Sequence, residues 1–189
     1  ATYEKEYNGG MGSNAFTIAD FNANAGDILR QAERDARELM DNPELDVDLT
    51  GKLRGGTFHV EQGVICGCAG GNFENLVAAA QILDGGSTGR GAFGLSVYPS
   101  SMPVGEALMN GGWMQKLISA GAVNYPAFCG PCFGAGETPC NQGFSVRHTT
   151  RNFPNREGSK PNAGQWSAVA LMDARSIAAT AANGGALTS

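Results

Sequence analysis

Apolar positions first recur at helical spacing. From Asp27 to Met40, residues Ile28, Leu29, Ala32, Ala36, Leu39 and Met40 share one face, and Glu33 and Arg37 stand four apart on the other. Pro43 follows the expected end. Residues 1–25 are rich in Gly and Asn, show no such period and are expected to be irregular. The pattern then shortens. Phe58–Cys66 reads as a strand and ends in Gly67-Cys68-Ala69-Gly70-Gly71, with a helix over Phe73–Leu83 that Asn72 can cap. Phe93–Tyr98 is a second strand, with a turn at Pro99-Ser100-Ser101. Val104–Ser119 is a helix interrupted at Gly111-Gly112 and stopped at Gly121. Ala122–Phe128, Phe144–Thr149 and Trp166–Met172 read as further strands, and Asp173 caps a last helix over Ala174–Ala182. Strands that alternate with helices predict an α/β domain with a largely parallel sheet. With no internal repeat and no boundary, residues 1–189 are expected to form one domain.

Composition narrows the class. The 189 residues are 42% apolar and 16% charged, which excludes a disordered chain. A domain of this size buries roughly 70% of its unfolded surface. No run approaches the roughly 18 apolar residues of a membrane span. A net charge of −5, without a basic stripe, argues against nucleic acid as a partner. Glycine is in excess, 28 of 189, much of it in pairs such as Gly70-Gly71 and Gly184-Gly185. Such loops form tight turns or let backbone approach a ligand. The chain starts at Ala1 without a signal peptide, and a piece of a larger cytoplasmic protein is expected.

Five cysteines carry the candidate chemistry: Cys66, Cys68, Cys129, Cys132 and Cys140. An odd number without a signal peptide argues against a disulfide framework. Cys129-Gly130-Pro131-Cys132 is a C-x-x-C pair with three readings. A thiol–disulfide pair wants a helix starting at the first cysteine, yet Gly134, Gly136 and Pro139 follow closely. Structural zinc would need Cys66 or Cys68 and one of His59 and His148, none of them at finger spacing. An iron–sulfur cluster would take one distant thiolate and two from the C-x-x-C.

The surrounding residues resemble the aconitase superfamily. Cys129–Glu137 is similar to its C-[GS]-x-C with a following glycine-rich turn and Glu. His148-Thr149-Thr150-Arg151-Asn152-Phe153-Pro154-Asn155-Arg156 resembles its S-x-N-R-N-F-x-G-R element. Gly67–Leu76 resembles its G-S-C-T-N-x-x-x-E-D-[LM] loop, and Trp166–Gly184 its next strand and Ala-rich helix. Sixty residues lie between Cys68 and Cys129, close to the family's separation. The resemblance covers roughly residues 55–187. Ala69-Gly70 stands where the family has Thr-Asn, Thr150 where it has the Asn before the first Arg, and Asn155 where it has Gly.

This resemblance implies the cluster-bearing third domain of a hydro-lyase, a three-layer α/β/α unit. Cys68, Cys129 and Cys132 would ligate a [4Fe–4S] cluster whose open iron acts as a Lewis acid. Arg151 and Arg156, with Thr150 beside them, would bind the carboxylates of a small hydroxy di- or tricarboxylic acid, since a guanidinium offers carboxylate a bidentate fork. The acid–base residues would lie in other domains of the same polypeptide, so no catalytic residue and no independent turnover are expected of this chain. Cys66 is expected to be a buried strand cysteine, with Cys68 favoured over it as the ligand. Cys140 is expected to be a loop thiol, His59 and His148 structural, Trp113 and Trp166 core. Without a cluster, Cys129 and Cys132 are expected to be free or joined to each other. The alternatives are a non-catalytic module on the same scaffold and, last, the thiol–disulfide enzyme.

Overall fold

The computed structural model describes residues 15–89, 91–150 and 163–189. The chain opens with helix α1 (Ile18–Leu39), which starts earlier than the apolar period predicts. The expectation of an irregular segment through residue 25 is therefore corrected. The Thr17 side chain accepts from the Asp20 N–H and its hydroxyl donates to the Asp20 carboxylate at 2.7 Å, so the helix is capped. Phe21, Ala25 and Leu29, four apart, bury one face. Asn22, Asn24 and Gly26 are weak helix formers that hid this stripe. Asn24 still leaves helical geometry, which kinks the helix there.

The expected Phe58–Cys66 strand divides. A two-stranded hairpin, β1 (Leu53–Arg54) and β2 (Thr57–Phe58), precedes β3 (Gln62–Ile65). Then come α2 (Gly67–Gly70), α3 (Phe73–Ile82), β4 (Gly94–Val97), α4 (Met102–Asn110), α5 (Trp113–Ala120), β5 (Val123–Asn124), β6 (Phe144–His148), β7 (Ala168–Leu171) and α6 (Ala174–Ala182). Asn72 caps α3 by accepting from the Asn75 N–H, and Gly121 ends α5 at φ +104°, both as predicted.

Strands β5-β4-β3-β6-β7 form one parallel sheet in that order. With the six helices of the described residues it makes the three-layer α/β fold. The strands alternate strictly between its faces. Phe144 and Val146 of β6 join the main core with Ile65 and Ile177, whereas Val64 packs with Cys66 and Tyr98 in a second cluster. Phe58 joins the hairpin to this core through edge contacts with Phe21 and Phe144, centroids 5.4 and 4.9 Å away. Ile177 of α6 is fully buried near the central Gly63, contributing about 2 kcal/mol by its burial. Trp166 is in the core as expected, and Trp113 is half-buried at the margin of that core.

The Asp173 carboxylate caps α6, accepting from the N–H groups of Arg175 and Ser176 and from the Ser176 hydroxyl at 2.6 Å. Burial pushes this carboxyl up, but those hydrogen bonds outweigh it and hold it below its ordinary value. Asp173→Ala should cost about 1 kcal/mol in urea unfolding at neutral pH. Because the folded group is the stronger acid, its contribution is complete above the unfolded pKa and fades as pH falls through the lower folded value. An equal cost well below pH 3 would contradict this assignment.

Candidate functional site

The chain order places β4 and β5 on one side of β3, and β6 and β7 on the other. The connections therefore diverge between β3 and β6, and ligands of open α/β sheets bind at the carboxyl ends of such a pair. At these two ends stand Cys66-Gly67-Cys68 and Thr149-Thr150. The Cys66 N–H donates to the His148 carbonyl at 3.1 Å, extending the ladder by one step.

From there α2 turns sharply. Gly67 adopts φ +70°, and a Cβ on it would lie 2.5 Å from the Cys132 sulfur. Only glycine suits this position, on backbone and on space alike. Gly70 leaves room for the His148 carbonyl, which a side chain there would overlap. The Asn of the family loop would meet β6 here, which explains that departure. Cys68 is exposed on α2, and its Sγ lies 3.4 Å from the Thr150 Oγ1. Residues 82 apart in sequence thus meet.

The C-x-x-C forms a 3-10 turn, Gly130–Phe133, ended by Gly134 at φ +82°. No α-helix starts at Cys129, so the dipole that activates a thioredoxin-type thiol is missing. Cys129 is exposed and Cys132 half-buried. The charge of Cys132, burial and then Cys68 push the Cys129 thiol up, because thiolates so close repel one another. All five cysteines are free thiols. Cys66 is buried as expected, and its Sγ lies 3.8 Å from that of Cys132. Burial, then the neighbouring Cys132, push the Cys66 thiol well up. Cys140 is exposed. Arg151 and Arg156 lie outside the described residues.

Sequence reading missed what holds the turn. Arg147 on β6 is 1% exposed. Its guanidinium donates to the Pro131 carbonyl at 3.2 Å, to the Glu137 carbonyl, to the Gln62 Oε1 at 3.2 Å and to the Ser145 hydroxyl at 3.0 Å. The buried Glu137 carboxylate accepts from Tyr98 at 2.8 Å and from Gln62 at 3.0 Å. Burial and the Glu137 carboxylate raise the Tyr98 pKa, and its ring stacks on Tyr125 with centroids 4.5 Å apart. One signal was legible. Ser145 and Arg147 alternate with Phe144 and Val146, so β6 carries a polar face where a wholly buried strand would not.

The thiols of Cys68, Cys129 and Cys132 are soft donors of the kind iron–sulfur clusters take. Among the described residues, no three His, Cys, Asp or Glu side chains are grouped to hold a metal ion. His148 is engaged otherwise: its Nδ1 accepts from the Ala174 N–H at 3.0 Å, and burial lowers its pKa. That nitrogen is therefore not free to take a zinc ion.

The fold and cysteine loops define an α/β domain with a thiol-lined sheet edge. The profile of the aconitase family (aconitate hydratase) matches residues 12–179, and the chain belongs to that family. The match begins well before residue 55, so α1 belongs to the shared unit. The 3-isopropylmalate dehydratase large subunit 2 of Pyrococcus furiosus is 42% identical over 105 residues, 55% of this chain and 27% of that protein. The mitochondrial homoaconitase of Eremothecium gossypii is 32% identical over 123 residues, 62% of this chain and 18% of that protein. The 3-isopropylmalate dehydratase large subunit of Nitratidesulfovibrio vulgaris is 29% identical over 143 residues, 75% of this chain and 34% of that protein. The chain thus spans a third or less of the length of most of these relatives. Among the described residues, no helix is long and apolar enough to cross a membrane.

Proposed function

We propose that this chain is the cluster- and carboxylate-binding domain of a hydro-lyase acting on a small hydroxy di- or tricarboxylic acid. The observation that carries this reading is the meeting of Cys68 with Thr150 beside the Cys129–Cys132 turn, at the switch point of the sheet. Cys68, Cys129 and Cys132 would hold a [4Fe–4S] cluster, which supplies Lewis acidity toward a hydroxyl leaving group when bound. Thr150 Oγ1, beside the Cys68 sulfur at 3.4 Å, would hydrogen-bond substrate. Arg151 and Arg156, continuing the same segment, would pair with its carboxylates. Arg147 and Glu137 would act beneath, holding the C-x-x-C turn against the sheet. Other domains of the polypeptide would supply the base and close the site from water, and a reducing cytoplasm suits the free thiols.

The test is iron and sulfide bound per chain after anaerobic reconstitution. Wild type should take up about four of each, as a cubane requires. Cys68→Ser should lose most of this, whereas Cys140→Ser should keep it. Tight zinc uptake in place of iron, or equal iron in both variants, would refute the ligand assignment.

A further inference from the structure

Cys66 is the one thiol near this site that the proposed function leaves unused. It is buried at the end of β3, with its backbone tied to His148. Its Sγ lies 3.8 Å from the Cys132 Sγ, across a glycine whose missing Cβ makes the approach possible. A disulfide needs about 2.05 Å between sulfurs. The remaining gap of roughly 1.8 Å is within reach of a cysteine rotation and a small shift of the turn. Cys132 is half-buried and so open to a small reagent.

We infer that Cys66 and Cys132 form a reversible disulfide site, in which Cys66 resolves an oxidised Cys132 and withdraws it from cluster ligation. The withdrawal rests on the cluster reading above; the disulfide does not. The oxidant is a low-molecular-weight disulfide. Cys132, as thiolate, attacks one of its sulfurs, that S–S bond breaks, and the departing thiolate takes the proton that Cys132 gave up. Cys66 then attacks the Cys132 sulfur of the mixed disulfide. The second small thiolate leaves and takes the Cys66 proton. Two protein thiols have lost two electrons, and one small disulfide has become two thiols. An external thiol reverses both steps.

The full chain, reduced and then freed of reductant without air, is treated with glutathione disulfide, alkylated, digested and mapped by mass spectrometry. The expected product links Cys66 to Cys132 and leaves three of the five thiols alkylated. A link between Cys129 and Cys132, a persistent glutathione adduct, or five alkylated thiols overturns the inference. In parallel, oxidised wild type should take up no iron until dithiothreitol is added. Cys66→Ala, given the same treatment, should show no such link and should keep the small thiol on Cys132, because the resolving thiol is gone. Oxidised wild type that carries the link and still loads fully overturns the competition. If reduced wild type takes up no iron, the cluster reading fails, while the peptide map still decides the disulfide.

Discussion

Arg147→Met should lower the unfolding free energy by about 3–5 kcal/mol, the largest loss expected of any single polar substitution in this chain. Methionine fills much of the space but donates no hydrogen bond. The carbonyls of Pro131 and Glu137, the Gln62 amide oxygen and the Ser145 hydroxyl would all lose a donor in a buried setting. Each orphaned group costs about 1–3 kcal/mol if water cannot reach it. The measured loss should fall below their sum, because the turn will move toward solvent. Equilibrium urea unfolding followed by circular dichroism measures the effect. Arg147→Lys separates positioning from stability, since it keeps the charge and loses the fork. It should fold, with the Cys129 and Cys132 thiols reacting at least several-fold faster with a disulfide reagent. Unchanged thiol reactivity in a stable Arg147→Lys variant would show that the arginine only fills the interior.

Gly70→Asn restores the family's usual residue and should nevertheless harm this chain. The new Cβ would overlap the His148 carbonyl, which already accepts from the Cys66 N–H. Backbone, not a flexible side chain, has to yield. Overpacking of this kind costs about 1–3 kcal/mol. Separating α2 from β6 also moves Cys68 away from Thr150, so iron uptake on reconstitution should fall well below that of wild type. A Gly70→Asn variant as stable as wild type and loading fully would mean that the loop relaxes freely.

These two residues mark where sequence reading stopped. Periodicity and turn chemistry determined most of the elements. The Asn72 and Asp173 caps, the Gly121 stop and the α/β alternation are local, and local rules reach them. The three ordered motifs at their family separations determined which loops matter. The start of α1 escaped because weak helix formers mask a buried stripe that only packing on the hairpin reveals. Which residue meets which across 66 or 82 positions is not a local property: parallel pairing of β3 with β6 brings Cys68 to Thr150, and the turn held by Arg147 of β6 brings Cys132 to Cys66. The polar side of β6 was written in the chain, but its partners were not. A buried guanidinium must find acceptors, and only the folded chain decided that one of them is the Pro131 carbonyl of the C-x-x-C turn.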